Sequence, residues 1–486
     1  MHHWFVLRFV APTLRQWTTA SIIAAGCNLQ PVLSSLGHAQ STQPVPPPLT
    51  TTRYDEDYAY LADPNAHSGA WWEPLKYLPL NETGDVYLTL GGEARLRYEG
   101  YENNNWGQGP ADDDGYLLYR TLTSADLHLG KHLRLFGELI GAWEDGKRPM
   151  ASPVDETDVD LLQGFADITL PLGDDETSLT LRPGRQVLSY GSERLIGVRY
   201  GPNVLRTFDG IKTIVDGEGW RVDGFYARPV EPGLDDFDDV SHDDLSTWAV
   251  YGTIDLPVAE KSGLDLYYIG YDNNFASFEQ GTGSEKRHTV GTRFFGQAQN
   301  WDWDWEAMYQ FGEFAGGDIS AWSVASSTGY TFEDVPLSPR LGLRANIISG
   351  DDDADDSDLQ TFNPMFPKGK YFGELTLLGP ENLMNLHSTL DLHLGHGWSL
   401  GVAGMFFWRE SMGDGIYDLG GNLIRDDGGS DARFIGSQGE VVLSYEFNRN
   451  LNAMLSYSRF YPGAFIDETG PSETVDFVGT ELNLQF

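Results

Sequence analysis

The fold is decided by a stretch that reads VYLTLGGEARLRY and spans residues 86–98. Its even positions carry Val, Leu, Leu, Gly, Ala, Leu and Tyr, whereas its odd positions carry Tyr, Thr, Gly, Glu, Arg and Arg. Successive side chains of a β-strand point to opposite faces, so one face of this segment is apolar and the other is polar and charged. The stretch therefore predicts a strand that separates an apolar environment from a polar one.

The same alternation recurs to the end of the chain and predicts about 18 strands. We place them at residues 86–98, 116–129, 131–144, 160–171, 177–188, 205–215, 217–228, 244–256, 263–271, 285–297, 301–314, 318–332, 338–349, 383–394, 398–409, 432–447, 449–461 and 473–486. The connections between these strands alternate in length. Long connections include 99–115, 145–159, 189–204, 229–243, 350–382 and 410–431, and short ones include 172–176, 216–219, 395–397 and the junction at Gly130. The gap at 315–317 is shorter than this alternation requires.

An even number of strands with alternating short and long connections is typical of outer-membrane barrels, whose periplasmic turns are short and whose external loops are longer. Aromatic residues lie near the ends of the apolar faces, as they do at membrane interfaces. The last strand alternates up to Phe486 and resembles the assembly signal that the outer-membrane insertion machinery reads. We therefore predict an all-β fold, a transmembrane antiparallel β-barrel in the outer membrane of a Gram-negative bacterium, in contact with lipid and lipopolysaccharide.

Composition excludes several other classes of protein. The 486 residues include 72 acids and 32 bases, a formal net charge of −40, which argues against binding to nucleic-acid phosphates. One cysteine excludes a disulfide framework and a cysteine-clustered metal centre. Of the bases, 24 are Arg and 8 are Lys, which favours fixed planar cations in a partly enclosed place over a solubilising lysine coat.

The N-terminal region differs from the rest of the chain. Residues 1–39 combine early arginines, a moderately apolar stretch and small residues at Gly37 and Ala39, which predicts a secretory signal peptide. An ordinary buried helix is the alternative, and Cys27 in the sequence Ala-Ala-Gly-Cys leaves lipidation open. Residues 40–85 are expected to form an N-terminal periplasmic segment and residues 86–486 the barrel. No later stretch is apolar over the roughly 18 residues that a transmembrane helix needs.

Two groups of motifs resemble the alginate export family of outer-membrane barrels. The first reads RPGRQVLSYGSER at residues 182–194 and continues as GPNVLRTFDG at 201–210. The second comprises SGD at 349–351, TFNPMFP at 361–367 and YFG at 371–373. The resemblance implies an 18-stranded barrel that passes an anionic exopolysaccharide outward. The alginate exporter carries a long periplasmic turn over its pore, whereas every candidate periplasmic turn here is short.

Alternation directs a set of cations away from lipid, where an arginine near the midplane would cost about 2–4 kcal/mol. Each guanidinium offers a planar fork to a carboxylate, so a row of them would lower the barrier for a polyuronate without one tight site. The alternative is that these cations pair with lumen acids and brace the wall. The predicted lumen residues are Arg95, Arg97, Arg120, Arg134, Arg182, Arg221, Arg293, Arg340 and Arg344, together with Arg185, Arg206 and Lys212 from the motif region.

The predicted external loops contain runs of acids, including Asp235–Asp239 and Asp351–Asp358. Asp351, Asp353 and Asp355 suggest calcium ligands, although they lack the EF-hand order, and a solvated acidic loop is the alternative. Otherwise no cofactor is expected. No GxSxG, HExxH, P-loop or strand-following GxGxxG motif occurs, so the chain is not expected to be an enzyme.

These observations predict an outer-membrane channel that exports an anionic, alginate-like polyuronate through an arginine-lined lumen. Acidic external loops would repel a polyanion that re-enters, which fits export better than uptake. Periplasmic polysaccharide-delivery proteins are the expected partners. Three alternatives remain open: an anion-selective porin for small solutes, a barrel with structural or adhesive loops and no conduit, and an outer-membrane enzyme.

Overall fold

Eighteen long antiparallel strands, each paired with the next, form a sheet that closes on itself in the part of the chain that the structure describes. The structure is a computed structural model, and it describes residues 45–109, 115–148, 152–173 and 176–486. The first and last strands pair in register, with Arg95 opposite Asn483. The predicted barrel is confirmed. The predicted signal peptide and Cys27 lie outside the described residues.

The strands follow the predicted positions closely. They are β1 (Val86–Glu102), β2 (Tyr116–Leu129), β3 (Leu133–Asp145), β4 (Thr157–Pro171), β5 (Ser178–Gln186), β6 (Phe208–Gly217), β7 (Trp220–Glu231), β8 (Leu245–Asp255), β9 (Glu260–Phe278), β10 (Gly281–Ala298), β11 (Trp301–Phe314), β12 (Gly317–Thr331), β13 (Arg340–Ile348), β14 (Leu383–Gly395), β15 (Trp398–Trp408), β16 (Phe434–Asn448), β17 (Leu451–Pro462) and β18 (Val475–Gln485). Shorter strands lie at Leu78–Pro79, Val240–Ser241, Ile416–Tyr417 and Leu423–Arg425.

One connection differs from the prediction. The interval between residues 271 and 285 was expected to be a loop, but β9 and β10 continue through it and are joined by residues 279–280 alone. The polar stretch around Asn273 interrupts the alternation, and the strands absorb it through a register shift between Asn273 and Ala276. Two connections at the long-loop end, 279–280 and 315–316, are therefore tight hairpins.

The two faces of the sheet have opposite character. On β9, Leu266 is 51% exposed on the outer surface, whereas its neighbours Asp265 and Tyr267 are buried on the inner surface. At the other end of the barrel, His396 and Gly397 both adopt left-handed backbone conformations in the two-residue turn between β14 and β15, as a type I′ turn requires. The alternation read from the sequence thus separates a lipid-facing surface from a polar lumen.

Two long loops fold back into the lumen. Residues 187–207 connect β5 to β6, and residues 349–382 connect β13 to β14. The two loops meet in an isolated parallel bridge between Ile196 and Phe366. Both residues belong to the largest buried apolar cluster, which also includes Tyr251 and Phe407 from the inner face of the barrel. The lumen is consequently filled over much of its cross-section by the protein's own chain.

Residues 45–85 cover the opposite end of the barrel. They form three 3₁₀ turns and one short α-helix, at Arg53–Asp55, Ala59–Ala62, Pro64–Ala66 and Glu73–Lys76. Further short helical segments lie at Asn104–Gly107 and Ala464–Thr469. Within the described residues, every helix is too short or too polar to cross a bilayer.

Candidate lumen transport site

Eleven of the twelve predicted lumen cations lie inside the barrel. Ten of them are on strands, where the neighbouring side chains point outward, and Arg206 is in the infolded loop at 187–207. On β13, for example, Leu341 and Leu343 are exposed to the outside, while Arg340 and Arg344 lie on the other face. The most deeply buried members are Arg95, Arg97, Arg120, Arg182 and Lys212. The remaining inward-facing ones are Arg134, Arg206, Arg221, Arg293, Arg340 and Arg344.

Arg185 is the exception, and its predicted lumen position is wrong. It is three residues after the inward-facing Arg182, so strand alternation turns it outward near the long-loop end. There its guanidinium pairs with Asp209 at 2.9 Å, on the same face as Ile211, which is 49% exposed to the outside. The family motif that contains Arg185 suggested a side chain in the lumen, but the alternation of the strand puts this side chain on the outer face.

Arg97 is the centre of a buried ion-pair network. Its side chain is fully buried and contacts the carboxylates of Glu99 at 2.5 Å, Glu374 at 3.0 Å and Glu481 at 3.1 Å. Glu374 belongs to the loop at 349–382, whereas the two other acids are on the barrel wall. The network therefore attaches this loop to the wall.

Arg95 and Arg120 hold the other infolded loop. Arg95 donates hydrogen bonds to the carbonyl oxygens of Tyr200 (3.0 Å) and Pro202 (2.9 Å). Arg120 donates to the carbonyl of Pro202 at 3.1 Å and pairs with Glu93 at 2.6 Å. Both guanidinium groups are used by main-chain carbonyls and wall acids, so they act here as braces.

Six further cations have acidic partners. Arg134 pairs with Asp126, Arg182 with Asp167 (2.6 Å), Lys212 and Arg221 with Asp223 (both 2.8 Å), Arg293 with Asp265 and Asp304 (2.8 and 2.6 Å), and Arg340 with Asp302 and Asp391 (2.6 and 3.3 Å). A carboxylate of a passing solute would have to compete with these internal partners. Most of the predicted basic row is therefore neutralised from within.

A small group of lumen cations has no acidic partner among the described residues. Arg344 makes no ion pair there, and Lys368 lies close enough to it to interact electrostatically. Arg206 donates to the carbonyl of Pro367 at 3.1 Å and lies over the ring of Phe366. Lys368 belongs to the segment 366–368 of the infolded loop, Arg206 contacts this segment, and Arg344 interacts with Lys368. We refer to Arg206, Arg344 and Lys368 as the cationic cluster.

Sequence reasoning missed Lys368, which lies in a loop where strand alternation gives no information. It directly follows the TFNPMFP motif at 361–367, which was the one available signal. Arg194, at the end of the other motif, was also missed. It contacts Asp304 at 2.8 Å and Glu306 at 2.5 Å inside the barrel, so it is one more internally paired cation.

The aspartates expected as calcium ligands, Asp351, Asp353 and Asp355, make local turns. The carboxylate of Asp351 accepts a hydrogen bond from the N–H of Asp353 at 3.2 Å, and that of Asp353 accepts one from the N–H of Asp355 at 3.2 Å. Burial raises the pKa of Asp351 to about 6. Calcium binding by these residues stays a prediction.

A different acidic group, Asp160, Asp238 and Asp239, has carboxylate oxygens close enough to share an ion within the described residues. The Asp160 carboxylate already accepts hydrogen bonds from the N–H groups of Asp238 (2.9 Å) and Asp239 (3.2 Å). Burial raises the pKa of Asp239 to about 6. These contacts anchor the loop at 232–244 to β4.

Comparison with known proteins identifies the family. The family model described as "Alginate export" matches residues 86–479, which is most of the chain. The chain belongs to the alginate export family. No curated protein matches it. Membership agrees with the resemblance carried by the two motif regions and makes the protein an outer-membrane channel of a Gram-negative bacterium.

Solved structures with the same fold are outer-membrane channels of Pseudomonas aeruginosa. OpdK, solved with vanillate, has a TM-score of 0.55 at 11% identity and covers 82% of this chain and 98% of its own. OccK2 (OpdF), solved with glucuronate, has a TM-score of 0.54 at 12% identity and covers 85% and 99%. OccK8 (OprE) gives the same values as OccK2. At these identities the likeness shows the barrel fold alone.

Membrane orientation can be tested by thiol labelling. We expect a membrane-impermeant maleimide to label Asp235→Cys, in the loop at 232–244, in intact cells, because long loops face outward. Glu218→Cys, in the turn between β6 and β7, should react only after the outer membrane is permeabilised. Both positions are exposed. Labelling of Glu218→Cys in intact cells, with Asp235→Cys protected, would reverse the topology.

Proposed function

We propose that this channel exports an anionic exopolysaccharide of the polyuronate type, and that the cationic cluster of Arg206, Arg344 and Lys368 contacts its carboxylates. One observation carries the proposal: these lumen cations lack the internal acids that neutralise nearly all the others. A carboxylate that reaches them gains a charge-assisted contact without displacing an existing ion pair.

The strength of such contacts suits conduction. A solvated Arg–carboxylate contact is worth roughly 0–1 kcal/mol, and enclosure strengthens it. Transport requires binding that is favourable enough to admit the solute and weak enough to release it. A few uncompensated cations at one level of the lumen meet this condition better than a continuous row of strong sites.

The charge of the external loops supports an outward direction of transport. The loop at 349–382 contains the acidic run Asp351–Asp358, and the loop at 232–244 contains Asp235–Asp239. A polyanion that has left the channel would be repelled by these loops over about a Debye length, ~8 Å at physiological ionic strength. This arrangement supports export, with delivery by periplasmic proteins.

The second candidate is an anion-selective porin for small acidic solutes. Infolded loops leave a narrow lumen, and the similar fold of OccK2 was solved with the monomeric acid glucuronate. The length of the saccharide that blocks the current distinguishes the two candidate functions. A polyuronate channel should be blocked more persistently by longer oligouronates, whereas a small-solute porin should respond to monomeric glucuronate and little to oligomers.

The role of the cluster can be tested with a matched pair of arginines on β13. Arg344→Gln combined with Lys368→Gln should move the reversal potential in a salt gradient away from anion selectivity and weaken oligouronate block several-fold. Arg340→Gln, four residues from Arg344 on the same face but paired with Asp302 and Asp391, should leave selectivity nearly unchanged. Single-channel recording measures both.

Equal reversal potentials in wild type and in the Arg344/Lys368 variant would contradict the proposed site. A larger effect from Arg340→Gln would also contradict it, because the paired arginine would then be the cargo-contacting one. Thermal stability of each variant, read from heat-modifiable migration, separates a loss of selectivity from a loss of fold.

A further inference from the structure

Residues 45–57, which we call the strap, enter the barrel from the end where the short turns and the C-terminal residue Phe486 lie. Arg53 and Tyr54 are buried, while the neighbouring Asp55 and Asp57 are exposed. A solvated tail would show no such pattern. The strap therefore has one face in the lumen and one in water.

Tyr54 is held in a cage on the inner wall. Its ring meets Phe136 and Phe165 edge-on, with centroids 5.4 and 5.0 Å apart. The guanidinium of Arg182 lies 4.4 Å from the centre of the same ring, and Arg134 donates a hydrogen bond to the Tyr54 carbonyl. The strap thus occupies two arginines that line the lumen at this end.

Further contacts attach the strap to the end of the barrel. Arg53 donates to the carbonyl of the last residue, Phe486, and a pair with Glu56 inside the strap orients its side chain. Arg449, in the turn between β16 and β17, donates to the carbonyl of Pro47. These contacts are polar and non-covalent, whereas the chain directly after the strap is anchored by an apolar cluster of Tyr58, Leu61 and Trp72. Withdrawal of the strap would break these polar contacts and take Tyr54 out of its aromatic cage, while the apolar cluster keeps the following chain docked.

The strap also meets the infolded loop inside the barrel. A small cavity is lined on one side by Thr50, Thr51 and Arg53 of the strap and on the other by Tyr200 and Leu205 of the loop at 187–207. The remaining lining residues, Gly92, Glu93, Leu122 and Glu138, belong to β1, β2 and β3. On this side of the lumen, the strap enters from the periplasmic end and the loop at 187–207 enters from the external end, and the two segments meet.

We propose that the strap is an internal plug that closes the lumen from the periplasmic side and has to leave before cargo can enter. Tyr54 engages Arg134 and Arg182 in the closed state, and withdrawal of the strap frees both guanidinium faces for solute. The proposal rests on the proposed function in assuming that the lumen is a conduit. It assigns the closure to the N-terminal segment, since the periplasmic turns of the described chain are short.

Removal of the strap tests this directly. The channel lacking residues 45–57 should conduct several-fold more current in a planar bilayer than wild type, and so should Arg53→Ala combined with Tyr54→Ala. Asp63→Ala, an exposed position after the strap, is the matched control and should conduct like wild type. Heat-modifiable migration establishes that each variant is a folded barrel.

Adding the strap back in trans gives a second, independent readout. A synthetic peptide of residues 45–57 should close the shortened channel when applied to the periplasmic side and should have no effect from the external side. The same peptide with Tyr54→Ala should leave the channel open. Unchanged conductance after removal of the strap, or block by the alanine peptide equal to block by the native one, would overturn the plug.

The outcomes also distinguish a failure of the proposed plug from a failure of the proposed function. If conductance rises but the current shows no preference for anions, the plug stands and the proposed function fails. If wild type already conducts anions freely and loss of residues 45–57 changes nothing, the plug fails and the proposed function stands. If neither channel conducts, the strap is not what closes the lumen and the plug is wrong.

Discussion

Replacing Arg97 with methionine should sharply reduce the yield of folded barrel and lower the melting temperature of what assembles. The guanidinium is fully buried and contacts three carboxylates, those of Glu99, Glu374 and Glu481. Its removal leaves these negative charges close together without a counter-charge. Breaking a buried ion pair by removing one partner costs about 3–5 kcal/mol, and this network loses more than one contact.

Arg221→Met is the matched control for this prediction. Arg221 also faces the lumen and pairs with an acid, Asp223, but its side chain is 45% exposed and Asp223 keeps Lys212 as a second partner at 2.8 Å. We expect the melting temperature of the Arg221→Met barrel to be close to that of wild type. It is measured as the temperature at which the protein changes from the compact to the unfolded band on a gel. Equal melting of Arg97→Met and wild type would show that the network does not stabilise the barrel.

Deleting Phe486 should abolish or strongly slow assembly in the outer membrane. Phe486 and Gly92 exchange two main-chain hydrogen bonds of 3.0 Å each, which form the last rung of the seam between β1 and β18. Its ring packs 5.5 Å from that of Trp71. The deletion therefore removes a rung of the closing seam together with the terminal aromatic side chain that resembles an assembly signal.

Two further variants separate these effects. Phe486→Tyr keeps both the rung and a terminal aromatic ring, and should assemble at the wild-type rate. Phe486→Ala keeps the rung alone, and should assemble slowly if the insertion machinery reads the ring. A pulse-chase experiment that follows the appearance of the heat-modifiable barrel measures the rate of assembly of each variant. A normal yield and a normal rate of barrel assembly for the deletion variant would contradict a role of this strand end in directing assembly.

The wall of the barrel could be predicted from the sequence because strand alternation is a local property. Residues 116–129 and 301–314 are strands with the predicted bounds, since lipid on one side and water on the other force every second side chain to be apolar. The same rule placed Arg95 and Arg344 correctly in the lumen. Arg185 was placed wrongly because its position in the motif was preferred to the alternation rule, which puts its side chain on the outer face.

The contents of the lumen could not be predicted in the same way. Whether Phe366 lies outside the cell or packs against Phe208, 5.0 Å away inside the barrel, depends on contacts between residues far apart in the chain. Tyr54 reads as part of a polar N-terminal segment, and the cage that holds it is made by β3, β4 and β5. Likewise, no spacing rule distinguishes Arg340, which has two acidic partners, from Arg344, which has none among the described residues.

Ion selectivity in a planar bilayer, measured with and without a polyuronate, shows whether the lumen conducts acidic saccharides past uncompensated cations. We expect a reversal potential displaced towards that of the anion in a salt gradient. We also expect that oligouronates added on the periplasmic side interrupt the current for times that lengthen with the chain. A cation-selective current that oligouronates leave untouched would contradict this function.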